Sequence, residues 1–577
     1  MNPHRIERRV PLAETHFSES LHPLLQRIYA ARQIHVDAES DNALSALHDY
    51  HTFSNMEKAV ALLADCLEQQ RRILIVGDFD ADGATSSALG VRALRKLGAT
   101  QVDYLVPNRF EYGYGLTPEI VALAVERRPH LIITVDNGIS SLAGVRVARS
   151  AGIHVLVTDH HLPGIELPDA DAILNPNLPG DAFPSKHLAG VGVMFYLLLA
   201  LRAQLRADDW FIKRGIMELN LAEYLDIVAL GTVADLVPLD HNNRVLVAQG
   251  LTRMRAGRCV PGIRALLELG KRDLKRLTAS DLGFAVAPRL NAAGRLTDMS
   301  LGIECLLADD PAQARELAVR LDTLNHERRH IEARMQEDAL RALKKLDVDA
   351  ADSALPFGLC LFDEEWHQGV VGLVASRIKD RVHRPVVAFA RTDDGTLKGS
   401  ARSVKGVHIR DALEAVSTRH PGLIAKFGGH AMAAGLTLAT DAFKTFAPAF
   451  DAEVRRWLNA EDLAGVMRTD GELVPEYLTL ETAEKLRMAG PWGQGFPEPS
   501  FDGVFQLLER RIVGDKHLKM VLAEPTTGLR LEAIAFNQDG AQLPPDCRQV
   551  RIVYRLDVNE YRGEQHLQLL VDAIELV

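Results

Sequence analysis

Three short apolar runs punctuate the first third of the chain: Ile73-Leu74-Ile75-Val76, Leu131-Ile132-Ile133-Thr134-Val135 and residues 153–158. They are continuous rather than alternating and rich in β-branched side chains, the pattern of strands buried on both faces of a parallel sheet. Amphipathic stretches between them, such as 117–127, read as crossover helices. From Asp310-Pro311 a helical period runs to about residue 345, with Leu317, Leu321, Leu324, Ile331, Met335 and Leu340 on one side and many Arg and Glu elsewhere. This pattern predicts a long spacer helix. Strand-like runs at 551–554 and 566–571, separated by turn signals such as Arg562-Gly563, predict a small barrel near the C-terminus. The predicted layout is an extension packed on the first domain (1–45), an α/β domain (46–310), a connecting helix (311–345), a further domain (346–460) and a barrel (461–577).

The polar residues that interrupt this pattern fall where the strands end. Gly77-Asp78-Phe79-Asp80-Ala81-Asp82-Gly83 closes the first run, Asp136-Asn137-Gly138 the second and Asp159-His160-His161 the third. Asp235 lies in an apolar stretch that starts at Tyr224, where an unpaired carboxylate is expensive. Ligands of open α/β sheets gather at the carboxyl ends of the strands, so these residues are expected in one crevice. So many carboxylates share a cleft only if cations offset their repulsion. An oxygen-rich set with one or two imidazoles and no thiolate suits Mn²⁺ or Mg²⁺ rather than structural zinc. Singly, each piece has a blander reading: Asp136 a helix N-cap, His160-His161 a surface pair, the Asp repeat a solvated turn. A calcium loop is excluded, because its twelfth position needs a bidentate Glu and is Leu89. The co-occurrence of the four segments carries the metal reading.

Composition alters this picture only at the margins. With 577 residues, 47% hydrophobic and 25% charged, the chain is long enough for three or four domains with proper cores. Cys66, Cys259, Cys305, Cys360 and Cys547 lack metal or disulfide spacing, which suits a reducing compartment. The longest apolar stretch, around 191–201, is too short and too close to Arg202 for a membrane span, and the expectation is a cytoplasmic protein. The net charge of −11 disfavours broad cationic binding of duplex nucleic acid. It leaves room for a narrow basic groove beside a metal-loaded cleft.

The ordered motifs resemble those of the DHH phosphoesterase superfamily, and the chain from about residue 45 onward is similar to its single-strand-specific 5′-to-3′ exonucleases. Further segments carry the likeness: Ala287-Pro288-Arg289-Leu290-Asn291-Ala292-Ala293-Gly294-Arg295-Leu296, Trp366-His367-Gln368-Gly369-Val370-Val371-Gly372, Gly399-Ser400-Ala401-Arg402-Ser403 and Gly428-Gly429-His430-Ala431. The resemblance implies an α/β chain: a parallel-sheet DHH domain, the connecting helix, a smaller α/β DHH-associated domain at 346–460 and a C-terminal OB-fold. It implies two ions, Mn²⁺ or Mg²⁺, with Asp136 bridging. Asp80, with help from Asp78, would hold one ion, and Asp82, His160 and Asp235 the other. His161 would contact a nonbridging phosphate oxygen, while Asp159 would orient an imidazole. Two such ions activate a water and stabilise the leaving 3′ oxygen.

The same resemblance assigns the 5′-phosphate to Arg109, Ser400 and Arg402, and further DNA contacts to Arg289, Asn291, Arg295 and His430. In the barrel, Phe536, Tyr554 and Tyr561 are candidate base-stacking platforms, and Lys516, His517 and Lys519 candidate backbone contacts. One departure concerns Val76, which stands where many members have a histidine. Either Asp78 substitutes, or one ion has fewer protein ligands. The expected role is recombinational and mismatch repair on single-stranded DNA, as a monomer, beside a single-strand-binding protein and a repair helicase. Two other readings remain, a phosphodiesterase of very short oligonucleotides or cyclic dinucleotides and a noncatalytic DNA-binding scaffold. The barrel and long helix count against the first, and the retained acidic motifs against the second.

Overall fold

The computed structural model describes residues 5–107, 112, 115–349, 355–458, 463, 466–514, 517–538, 540, 543–561 and 563–577. Its contacts form two compact units: residues 8–322 with 468–577, and 323–467 with the N-terminal residues through Glu7.

The first unit is built on five parallel strands in the order Val102–Leu105, Ile73–Gly77, Leu131–Val135, His154–Thr158 and Ala172–Leu174. Both faces are covered, as the continuous apolar runs predict. Leu74, Val76, Ile132, Val155 and Val157 pack with Ile120, Val121, Ala124, Val145 and Ala148 from the Pro118–Glu126 and Leu142–Ser150 helices. From Ile73–Gly77 the chain goes outward to Val102–Leu105 and then returns across to Leu131–Val135. The order therefore reverses between those two central strands, the point where open α/β sheets open a crevice.

Helices Ala81–Lys96, Gly190–Ala207 and Leu225–Ala234 are mostly buried. Gly190–Ala207 runs to 18 residues, more than the sequence reading allowed, and by length and composition alone could cross a membrane. Two thirds of it is buried inside the protein, however, which is the environment of a core helix.

At the C-terminus, strands Phe501–Val513, His517–Ala523, Arg530–Ala535, Gln549–Tyr561 and Glu564–Leu576 close a barrel. The fifth strand inserts between the third and fourth, pairing parallel to the third and antiparallel to the fourth. The N-terminal extension packs on the α/β domain, where the Arg244 guanidinium donates to the Glu39 carbonyl at 2.7 Å, and also on the C-terminal segment. There Arg32 makes a two-pronged pair with Asp470, at 2.9 and 3.0 Å, with both side chains buried. The Arg32 guanidinium also lies 5.2 Å from the Trp492 ring centroid.

In the second unit, the sheet order is Lys426–Gly429, Ala433–Ala439, Thr396–Arg402, Val386–Arg391 and Leu359–Phe362. The last two strands are parallel, joined through the Val371–Val382 helix, and the other pairs are antiparallel. Val387 and Phe389 face one apolar core, and Val386, Ala388 and Ala390 face another. The long helix spans Pro311–Asp349, and the boundary between the two units falls within it.

Removing one partner of a buried ion pair leaves an uncompensated charge. Arg32→Ala is expected to lower stability by about 3 kcal/mol, read as a denaturant midpoint shift at unchanged slope. An unshifted midpoint would show that the extension contributes nothing to the fold.

Candidate metal centre

Strand register sets the geometry of the site. Gly77 pairs with Val135 and Val135 with Thr158, so the next residue on each strand, Asp78, Asp136 and Asp159, emerges in one row beyond the sheet edge. The Asn137 amide clamps the two central strand ends, donating to the carbonyls of Val76 at 3.1 Å and Val135 at 2.9 Å. Asp136 itself has φ of 60°, a left-handed conformation that costs a branched-free side chain energy and is tolerated where the surroundings enforce it.

Each remaining acid is fixed by a different element. Asp80 caps the Ala81–Lys96 helix, accepting from the amides of Asp82 and Gly83. Asp82 is buried against the start of the Gly190–Ala207 helix, where it accepts from the amides of Gly190 at 2.6 Å and Val191 at 3.0 Å. A Cβ on Gly190 would lie 2.7 Å from that of Asp136, so only glycine lets this helix end approach the cluster. Asp159 is saturated by protein donors. One oxygen takes the amides of His160 and His161 and the His161 Nδ1 at 2.7 Å, and the other takes the Ile139 amide. Asp159 therefore holds the His161 ring in place. His160 Nε2 lies 3.0 Å from Asp136 Oδ1 and 3.4 Å from Asp235 Oδ2, the latter at the end of the Leu225–Ala234 helix.

Three overlapping groups have potential ligating atoms within 4.8 Å of one another: Asp78, Asp80 and Asp136; Asp82, His160 and Asp235; and Asp136, His160 and His161. Val76 is buried in the apolar core, and Asp78, two residues on, contributes an oxygen to the first group. Burial, reinforced by the neighbouring carboxylates, pushes Asp82 up to about 7 and Asp136 and Asp235 well above the usual carboxylate range. His161 is pushed up to about 9. Burial opposes this, but the hydrogen bond and charge of Asp159, with the charges of Asp78 and Asp80, outweigh it. Such a cluster is costly as bare anions, and its oxygen-rich, thiolate-free donor set fits hard divalent cations.

The residues around the centre prove partly structural. Asn291 accepts from the Ala81 amide at 2.9 Å and so props the acidic loop. Gly294, on the same Ala287–Leu296 helix, is pressed against the Phe79 carbonyl, where a Cβ would clash. Arg289, expected to touch DNA, is buried and pairs with Asp322 at 2.8 Å. Arg295 lies half-buried further along the helix. Arg109 and Lys516 lie outside the described residues, as does the side chain of Tyr561.

In the second unit, Ser400 and Arg402 sit together on Thr396–Arg402. The Arg402 guanidinium donates to Ser400 Oγ at 3.0 Å and to the Ala401 carbonyl at 2.8 Å. Burial lowers its pKa, and among the described residues no carboxylate pairs with it. A Cβ on Gly372 would come within 2.9 Å of both side chains, so the bare start of the Val371–Val382 helix borders them. This is an anion-ready arrangement. His430 is exposed, beside the turn into Ala433–Ala439.

In the barrel, Tyr554 is 1% exposed and packs on Phe501 and Phe505, so it is core and not a stacking platform. Alternation along a strand does not say which face is the barrel interior. Phe536 is exposed, edge-on to His517, and Lys519 is paired with Glu532.

Comparison with known proteins agrees with this architecture. The chain matches the DHH family N-terminal domain over residues 72–232, the DHHA1 domain over 355–459 and the RecJ OB domain over 469–573. It is 58% identical over 568 residues to the single-stranded-DNA-specific exonuclease RecJ of Dickeya dadantii, covering 98% of each chain. It is 56% identical to the protein of that name from Escherichia coli, covering 96% of each. Among solved structures, RecJ of Thermus thermophilus in complex with Mn²⁺ superposes with a TM-score of 0.81 at 30% identity, covering 99% of this chain and 79% of that one. With domains of all three kinds in order and near-complete alignment to its relatives, the chain belongs to the RecJ family of DHH exonucleases.

Proposed function

We propose that this protein is a single-stranded-DNA-specific exonuclease that hydrolyses phosphodiester bonds from the 5′ end and releases 5′-mononucleotides. The observation that carries the reading is the convergence of five carboxylates and two imidazoles at the switch point of the parallel sheet. Relatives of 56–58% identity bear that activity in their names, and related crystal structures are described with Mn²⁺ and with Mg²⁺.

Asp78, Asp80 and Asp136 would hold one divalent cation and Asp82, His160 and Asp235 the other, a pair that supplies Lewis-acid activation of a water and offsets charge on the departing 3′ oxygen. Asp136, in the first set and 3.0 Å from His160 of the second, would link the two. Asp159 holds the proton on His161 Nδ1 and thereby aims the ring's other nitrogen at a nonbridging phosphate oxygen. Ser400, Arg402 and the amide end of Val371–Val382 would receive the 5′-phosphate, for which the guanidinium fork is well matched. His430 would assist there, and the barrel would guide the single strand. In this reading the enzyme works as a cytoplasmic monomer in recombinational and mismatch repair, beside a single-strand-binding protein and a helicase.

Digestion of matched single-stranded and blunt duplex DNA with Mn²⁺, labelled separately at each end, tests the reading. Mononucleotides are expected first from the 5′ end of the single strand. Asp136→Ala should cut the rate by more than about a hundredfold, since even outer-shell losses cost about 10- to 100-fold. Near-normal turnover in that variant would sink the two-cation scheme, and cleavage confined to dinucleotides would favour a small-substrate enzyme.

The raised carboxylates also give a pH signature. Asp82, Asp136 and Asp235 hold protons in the folded, metal-free protein at pH values where an unfolded chain has released them. The folded form binds more protons, so stability falls as pH rises from the ordinary carboxylate range through about 7, and His161 extends the loss toward about 9. In EDTA the melting temperature should therefore drop between about pH 5.5 and about pH 8.5, and Mn²⁺ should raise it more at the higher pH. Equal Mn²⁺ shifts at both pH values would contradict this.

A further inference from the structure

We propose that a groove between the barrel and the helical wall of the catalytic domain carries unpaired nucleotides of the substrate strand, with Phe284 as the platform on which a base stacks. The proposal rests on the exonuclease reading and adds a binding site to it. Phe284 is the middle residue of Leu282–Val286, a π-helical turn. Such turns carry an extra residue that shifts a side chain out of helical register, and they recur at functional sites. Leu282, Ala285 and Val286 are buried and anchor the turn, while Phe284 is 73% exposed. An aromatic ring held in solvent by a well-packed turn adds nothing to the core.

The groove in front of it has a volume of about 880 Å³ and is faced from the barrel side by Phe536, itself 54% exposed. Phe536 is held by the edge of the His517 ring at 5.2 Å. The lining has six cationic side chains against five carboxylates, in a chain whose net charge is −11. Four of these cations are paired with lining acids, Arg276 with Glu560 across the groove, and Arg272, Arg487 and Arg555 with Asp281, Asp557 and Glu498 on their own sides. Lys271 has no acidic partner among the described residues and stands in a left-handed turn, φ 53°, beside Arg272. Aromatic faces flanked by cations are what single-strand recognition requires: charge follows the backbone and rings receive the bases. A duplex, with its bases stacked on one another, has no face to offer Phe284.

Two further features give the site its meaning. The barrel lends the groove Phe536, just past its third strand, and residues of its fourth and fifth strands, such as Arg555 and Leu570. The π turn also runs directly into Ala287–Leu296, where Asn291, seven residues or about 10 Å along the axis from Phe284, props the acidic loop. The platform and the brace of the acidic loop thus stand on one continuous helical segment.

The test uses the full-length protein in EDTA and a single strand of roughly 40 nucleotides carrying one 2-aminopurine, moved stepwise from the 5′ end. Wild type should quench the probe at an internal position. Phe284→Ala should abolish that quench and weaken binding of the strand about tenfold, Phe284→Trp should restore both, and in Mn²⁺ the loss should appear in KM rather than kcat. Binding and quenching by Phe284→Ala equal to wild type would overturn the proposal. So would a loss that Trp fails to restore, which would mark Phe284 as structural. Wild-type protein that neither binds nor cuts single strands would instead bring down the exonuclease reading, so the two failures are distinguishable.

Discussion

Asp78, Asp80, Asp82, Asp136 and Asp235 crowd the C-terminal edge of one sheet, mostly out of contact with solvent, and their mutual repulsion is the constraint on which the rest of the molecule turns. Burial and the neighbouring charges push three of them far toward the protonated form. A fold that merely needed stability would fill this crevice with apolar side chains. Keeping the acids there demands positive charge, and two imidazoles, His160 and His161, stand among them. The cluster is intelligible as a receptacle for divalent cations.

The surrounding architecture reads as a set of supports for that receptacle. The register of three parallel strands brings Asp78, Asp136 and Asp159 into line, and Asn137 ties the central strand ends together. The amide end of a deeply buried helix faces Asp82, and Asn291 braces the loop from the far side. Asp159 gives up both oxygens to protein donors, which fixes the orientation of His161 rather than adding another ligand. Each support comes from a different part of the first unit, so the ligands stand on rigid elements whose positions are set by packing.

The sheet, the long helix and the acidic cluster were legible because each rests on local signals: β-branched runs ending in Gly or Asp, a sustained helical period, charged residues placed at strand ends. What escaped the sequence depends on contacts between distant residues. Nothing near Asp82 indicates that Gly190 and Val191, more than a hundred positions on, will donate to it. Nor does the motif holding Asn291 and Arg289 indicate that one props the acidic loop and the other pairs with Asp322. Tyr554 failed for a geometric reason, since strand periodicity separates two faces without saying which is the interior. Phe284 left no signal at all, as a π turn has no sequence period of its own.

The central claim, that the cluster is a two-cation centre, is tested most directly by titrating metal-free protein with Mn²⁺ and following bound ions by electron paramagnetic resonance. The account predicts two Mn²⁺ per chain, magnetically coupled because such ions lie about 3.5–4 Å apart, with the coupling lost in Asp136→Ala. A single bound ion, or two uncoupled ions unaffected by that substitution, would contradict it.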